Sequence, residues 1–424
     1  MHNRTLPPPF KPVPAPVIPS SQKRILDNGV PLYWISIGDQ EAIRIECIFP
    51  AENWTSPHPR ESFFAIKMLM EGTRSRSSVQ ISQALDLYGA FTETVHTPDY
   101  FGISIYTMPR FLGNILPVVA EILDEASFPE KEWDNLINIV RQQLKVNLEQ
   151  NSWLAASKFK SLLFGDHSRY GYSQNETDLN GIQLQDARNF YEGHIKTAPY
   201  LLFASGKVSD ESVGLLEKYL GNRPLSPKTP ATVPVLPATV PTGGPLRIEK
   251  PGSSQFTVRM GKRVPGRLHP DYFNMLVTNE LLGGYFGSRL MKNIREEKGL
   301  TYGISSYLPA LKDSAYFMIA TDVNKEALTE LSDEVRKELA ALQTQPVSIQ
   351  ELEKVKNVMA GEFARSLGTA FEIGDLNQTT IICGLPEDFY ANYLDRLRAV
   401  TVEDVQSTAR QLFDADTLVE VIVG

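Results

Sequence analysis

The chain has 424 residues, more than one ordinary hydrophobic core supports, so two or more domains are expected. Hydrophobic residues make up 42% and charged residues 22%, and the net charge of −8 comes with no long basic run, which argues against nucleic acid and anionic membranes as main partners. The two cysteines, Cys47 and Cys383, leave neither a disulfide framework nor a Cys-rich zinc site.

Residues 1–20 are proline-rich and lack the apolar core of a signal peptide. They read as an extended tail outside the fold. No apolar run reaches spanning length, so no transmembrane helix is expected and the sequence reads as cytoplasmic. Arg24 to Ile37 predicts a hairpin turning at Asp27-Asn28-Gly29. Ala42 to Pro50 alternates like a half-buried strand. Glu61 to Glu71 is helical up to Gly72, and Ser77 to Leu87 is a second helix, capped by serine and closed by Gly89. Phe91 to Val95 and Tyr100 to Thr107 read as paired strands. Helical periodicity follows over 111–126, 130–149, 152–164 and 183–193, then a strand at Tyr200 to Ser205 and a helix at Glu211 to Leu220.

Asn222 to Gly244 is rich in Pro and Thr and has no helical period, which marks a linker. After it the order of elements starts again. Strands are expected at 246–250 and 255–259, helices at 270–282 and 288–296, and strands at 302–308 and 315–321. Helices follow at 324–342, 348–366, 370–380, 386–397 and 402–412, with a closing strand at 419–423. The pattern predicts an α+β chain of two tandem homologous α/β-sandwich domains, each a mostly antiparallel sheet with helices on one face. The expected division is an arm at 1–20, a first domain at 21–221, a linker at 222–245 and a second domain at 246–424.

The stretch Gly283 to Tyr307, GGYFGSRLMKNIREEKGLTYGISSY, is the most organised. Gly283, Gly284 and Gly287 allow a tight connection between two helices, and Gly299 ends the second. Arg295 and Tyr302 flank the turn and can reach one space. Taken alone, Arg295 is as readily a charge on a solvated helix end, and Tyr302 a strand aromatic. The six histidines are His2, His58, His96, His167, His194 and His269, none within three to five residues of another, so no HExxH or HxxEH helix is present. Nor is there a GxSxG elbow, P-loop or dinucleotide fingerprint.

The two halves, with KMLMEGTRSRSSVQISQALDLYGAFTETV and GSRLMKNIREEKGLTYGISSY, resemble the insulinase/pitrilysin zinc peptidase superfamily, nearest its two-subunit processing-peptidase branch. The resemblance implies an HxxEH motif on the helix before Gly72-Thr73. Registered there, its histidines fall on Phe63 and Lys67 and its glutamate on Ile66, and the third metal ligand falls on Gln143. All four groups are replaced, so this chain is expected to bind no zinc. The resemblance also implies that Arg295 and Tyr302 bind a peptide in trans, that Gly283, Gly284 and Gly287 lie near the substrate entrance, and that Phe91 to Val95 is an edge strand for extended peptide. Glu93 stands where active relatives often have a small amide residue. The implied protein is the non-zinc subunit of a heterodimeric peptidase, with zinc and hydrolysis in a partner chain. A protein-binding scaffold without peptide chemistry is the alternative, and an active homodimer with other ligands a third.

Overall fold

The computed structural model describes residues 13–14, 16–51, 59–226 and 244–424. Most of the expected linker, 227–243, and most of the arm lie outside the described residues. In the first half the elements are β1 (Gln22–Ile25), β2 (Pro31–Ser36), β3 (Ile43–Pro50), α1 (Pro59–Met68), α2 (Ser78–Asp86), β4 (Phe91–His96), β5 (Tyr100–Thr107), α3 (Leu112–Glu125), α4 (Glu130–Glu149), α5 (Asn151–Phe164), α6 (Glu176–Gly181), α7 (Leu184–Tyr191), β6 (Leu201–Gly206) and α8 (Asp210–Leu220). The second half has β7 (Leu246–Ile248), β8 (Gln255–Val264), α9 (Tyr272–Asn279), β9 (Ile304–Tyr307), β10 (Ala315–Asn324), α10 (Leu328–Thr344), α11 (Ile349–Arg365), α12 (Ala370–Ile382), α13 (Tyr393–Ala399), α14 (Val402–Leu412) and β11 (Val419–Val423).

The strands form two sheets, ordered β1-β2-β6-β3-β5-β4 and β7-β11-β8-β10-β9. Setting β1 aside, the orders superimpose: β2 matches β7, β6 matches β11, β3 matches β8, β5 matches β10 and β4 matches β9. Pairing is antiparallel except at the matched joints β2–β6 and β7–β11, where the returning strand runs parallel to its neighbour. The expected α+β duplication is therefore present in topology. Among the described residues no helix is long and apolar enough to cross a membrane.

Each sheet carries its own half's helices on one face and a helix from the other half on the opposite face. Along β11, Ile422 points into the second half's main core, while Val419, Val421 and Val423 pack on Ala155, Phe159 and Leu163 of α5. On the first sheet, Ile45 and Cys47 face the first core, and Ile48 and Phe203 meet Ile382 of α12. This exchange explains one departure from the sequence pattern. The strand expected to be half-buried, β3, is buried at all eight residues because α12 covers its second face.

The arm departs as well. The tail expected at 1–20 is not free where it is described. Val13 and Ile18 pack on the second core, Arg398 Nη2 donates to the Val13 carbonyl (2.6 Å), and the Asn377 amide accepts from the Ser21 N–H (3.2 Å). Val13 and Ile18 are thereby half-buried, while Val17 between them stays exposed.

Candidate functional site

In α1, Phe64, Ala65 and Ile66 are buried in the first core. Phe63 and Lys67, one helical turn apart, lie on the side facing β4. The Phe63 ring meets the His96 ring edge to face at 5.6 Å between centroids, and Lys67 Nζ donates to Thr94 Oγ1 at 2.8 Å. The spacing fits, because four helical residues and two strand residues both advance about 6–7 Å. Ser62 Oγ hydrogen bonds His96 Nε2 at 2.8 Å, but Ser62 is fully buried, so its hydroxyl cannot meet a substrate. The α1 helix ends in a single 3-10 turn, Leu69–Glu71, at Gly72.

These residues do not fit a zinc ion. Where the resemblance puts two imidazoles and a carboxylate there is a phenyl ring, a buried alkyl chain and an ammonium that is already donating. Such a set offers a dication no lone pair and one like charge. Gln143, on α4, is exposed, and its amide donates to Asn147 Oδ1 (2.9 Å) on the same helix. It shares an exposed stripe with Ile139 and Val146. Among the described residues, no group of three or more His, Cys, Asp or Glu side chains is placed to hold a metal ion.

The corresponding module of the second half is built differently. After α9 the helix widens into a π turn at Glu280–Gly284, and a second π segment spans Met291–Glu297 where an α-helix was expected. Gly283 lies against β9 so closely that an added Cβ would stand 2.7 Å from the Ser306 nitrogen. Ser306 Oγ donates to the Asn279 carbonyl (3.0 Å). The Glu280 carboxyl fills the space that Gly284 leaves open, and its Oε1 is buried with no hydrogen-bond partner. Burial, and then the nearby Glu362 carboxylate, push its pKa up to about 7.

The segment bearing Arg295 is pinned to α10. Asn293 Nδ2 donates to Glu334 (3.2 Å) and Glu338 (2.8 Å), and Lys298 pairs with Glu334 (3.2 Å). Hydrogen bonds from Lys337, then Asn293, hold the Glu334 carboxyl down to about 2. Gly299 takes φ +65°, and Leu300 N–H donates to the Ile294 carbonyl (3.0 Å), which closes the segment as a left-handed cap. The strand then begins at Ile304 rather than at Tyr302. Thr301 Oγ1 donates to the Asp322 carbonyl (2.6 Å) and turns the chain, leaving Tyr302 94% exposed. The Arg295 guanidinium lies 4.8 Å from the Phe286 ring centroid, and that ring is itself exposed. Among the described residues, neither Arg295 nor Tyr302 has a hydrogen-bond or ion-pair partner.

Of the three glycines, Gly287 lines an open groove of about 850 Å³ with Tyr285, Arg289, Lys292 and Glu351. Arg289 and Glu351 hold each other there through two hydrogen bonds of 2.8 and 2.9 Å. At the first sheet's edge, Glu93 on β4 accepts from the Tyr106 hydroxyl at 3.4 Å.

Two charged features escaped the sequence reading. Arg44 on β3 is buried, pairs with Glu46 (3.1 Å) and with Asp375 on α12 (2.6 Å), and donates to the Phe371 carbonyl (3.0 Å). Arg169 joins Asp99 (3.5 Å) to Asp313 across the halves. The signal for the first was available: Arg44 and Glu46 stand two apart in an otherwise apolar strand, on one face of the sheet.

Residues 181–359 match the family described as "Peptidase M16 inactive domain". The chain is 24% identical over 358 residues to an "uncharacterized zinc protease", YmxG, of Bacillus subtilis, covering 84% of this chain and 86% of that protein. Over 309 residues it is 22% identical to the mitochondrial-processing peptidase subunit beta of Bos taurus, covering 70% and 62%. A solved peptidase M16 inactive domain from Pseudomonas fluorescens superimposes with a TM-score of 0.85 at 21% identity, over 95% of this chain and 98% of that one. The duplicated sheets agree with the fold of that solved domain, and the M16 inactive-domain match over residues 181–359 together with the likeness to zinc proteases along the chain supports membership of the insulinase-type peptidase superfamily.

Proposed function

We propose that this chain is the zinc-free subunit of a two-chain insulinase-type peptidase. A partner chain of the same superfamily carries the zinc and hydrolyses the peptide. This chain closes the chamber and offers Arg295 and Tyr302 to the substrate. The observation that carries the reading is the contrast between the two modules. At α1 every group that would serve a metal is replaced, and Lys67 is tied to Thr94. At the Gly299 turn a half-exposed guanidinium stacked on the Phe286 ring and an exposed phenol are held by a braced backbone, neither with a hydrogen-bond or ion-pair partner among the described residues. Solvating two such groups costs nothing, but bracing the segment beneath them suits groups that wait for a ligand.

In this reading Arg295 presents its fork of donors to backbone carbonyls of an extended peptide. Tyr302 donates to the scissile carbonyl oxygen as it gains negative charge, and loss of such a donor costs about 100- to 1000-fold in rate. Gly283, Gly284 and Gly287 keep the entrance free of side chains. The test is reconstitution with a zinc-bearing partner from the same source. Arg295→Ala and Tyr302→Phe should each lower kcat/KM and leave assembly and the partner's zinc content unchanged. Unaltered rates in both variants would leave the scaffold role as the better description.

A further inference from the structure

Away from both modules, the second half carries a half-open hollow of about 480 Å³ between the β8–α9 loop, α9, α13 and the start of α14. Its walls are largely apolar, built from Pro270, Phe273, Pro386, Phe389 and Val400. One cation lines it in an unusual state. The Arg396 guanidinium carbon lies 5.3 Å from the ring centroids of both Phe273 and Phe389. Two aromatic faces hold the planar group still without using its N–H donors. Among the described residues the side chain has no carboxylate or carbonyl acceptor.

The nearby acids are committed elsewhere. Asp395 pairs with Arg398 at 3.4 Å. Asp404 Oδ2 accepts from the Thr401 N–H and hydroxyl, both at 2.9 Å, and so caps α14. Arg267, on the opposite wall, donates to the Leu311 carbonyl (3.3 Å). A second side chain lines the hollow at its rim. His269 Nδ1 lies 3.9 Å from the Asp271 carboxylate and accepts from the Asp271 N–H (3.2 Å), and a neutral ring accepting there carries its proton on Nε2.

We propose that this hollow binds a small organic carboxylate with an apolar body. The carboxylate meets the Arg396 fork and the His269 Nε2–H, and the body rests on Pro270, Pro386 and Val400. The volume lies in the range of small-molecule sites. The Asp404 carboxylate, lining the same space, disfavours a dianion such as phosphate and leaves a single negative charge as the better match. A free organic acid and the last residue of a peptide share this chemistry.

Isothermal titration on the full chain separates the outcomes. The probes are 3-phenylpropionate, its uncharged amide, N-acetyl-Ala-Leu as acid and as amide, and inorganic phosphate. Each acid should bind at least about 10-fold more tightly than its amide, and phosphate should bind more weakly than either acid. Arg396→Gln should weaken acid binding by about 10- to 100-fold, and His269→Ala by a few-fold. Tighter binding of the dipeptide acid identifies a peptide C-terminus as the ligand, and tighter binding of phenylpropionate a free acid. Arg396→Gln removes a stacked side chain, so His269→Ala, on the exposed rim, carries the test if that variant does not fold. The proposal is overturned if acid and amide bind alike, if neither acid binds at about 10 mM, or if folded Arg396→Gln or His269→Ala protein keeps full acid affinity.

Discussion

Helix α5 of the first half lies on the second sheet through Ala155, Phe159 and Leu163, against three valines of β11 and the ring of Tyr316. Helix α12 of the second half lies on the first sheet in the mirrored position, but a buried arginine sits beneath it. Arg44 rises from β3 between Glu46 and Asp375, reaches the Phe371 carbonyl and stacks on the Phe371 ring at 5.5 Å. Past the Asn151–Ser253 hydrogen bond (2.9 Å) at its start, one helix is held along its length by dry packing, which tolerates small slides. The other is held by directional bonds, which fix its rotation and register. The difference teaches that topology requires a helix in each place but does not dictate its chemistry. It also locates the more brittle joint. Packing loses energy gradually as atoms are trimmed, whereas a buried charge that loses its partner loses it all at once.

That contrast is sharpest at Arg44. Arg44→Met should destabilise the chain by about 3–5 kcal/mol, because Glu46 is left buried and unpaired, and Arg44→Lys should lose much of the same through the missing fork. Adding Glu46→Leu to Arg44→Met should recover most of the stability. Urea denaturation of the three proteins measures this. If Arg44→Met costs under about 1 kcal/mol, the charged joint is not what holds α12. Phe159→Ala on the dry side should cost a similar amount, about 3–5 kcal/mol, but Phe159→Leu only about 1, a graded series that the charged side should not show.

Close approach of backbone gives the next test. An added Cβ at Gly374 of α12 would stand 2.8 Å from Ser205 Cβ and 3.1 Å from Arg44 Nη2. Alanine normally improves a helix interior by about 1 kcal/mol, so a net loss in Gly374→Ala would report the clash. The same change at Gly283, against the Ser306 backbone, should cost about 1–3 kcal/mol by overpacking. At Gly214, whose Cβ would meet nothing within 4 Å, alanine should be neutral or better, which controls for the substitution itself.

How much of this was legible follows from which interactions are local. The hairpin at Asp27-Asn28-Gly29, the serine cap of α2, which the structure places at Ser77, the left-handed Gly299 and the repeated order of elements all depend on residues a few positions apart, and the structure has them. The exchange of α5 and α12 is not local. The apolar stripe at 155, 159 and 163 announces a buried face but not whose sheet it meets. The widening of the helix at Glu280–Gly284 was hidden for another reason. A π turn keeps helical composition and changes only the bond register, so periodicity over so few residues cannot reveal it. Tyr302 was expected on a strand because its neighbours are β-prone. The Thr301 hydroxyl, bonded to a carbonyl on β10, overrides that preference. At the candidate site the positions Phe63, Ile66 and Lys67 followed from the family resemblance, registered on Gly72-Thr73. Their partners His96 and Thr94 did not, since α1 and β4 meet only in the folded chain.

The smallest expected effect separates the two helix–strand modules by pH. In the first, Lys67 Nζ donates to the uncharged Thr94 hydroxyl. In the second, the Glu280 carboxyl is buried, faces Glu362, and lies among Tyr285 and Tyr393, with a folded pKa of about 7 against an ordinary 4.5. A carboxyl whose folded pKa is raised binds its proton more tightly in the folded chain. Its contribution to stability is therefore fully present below about pH 4.5 and is lost as pH rises through about 7. Glu280→Gln keeps the shape and removes the titration. The variant should match the natural chain at pH 5 and exceed it by about 1 kcal/mol at pH 8, a figure set low because part of the side chain reaches solvent. Urea midpoints at the two pH values read the difference directly. Parallel pH profiles for the two proteins would mean that Glu280 is already ionised in the fold. The packing of its carboxyl against Gly284 would then have to be compensated by a cation that the side chain, as described, does not meet.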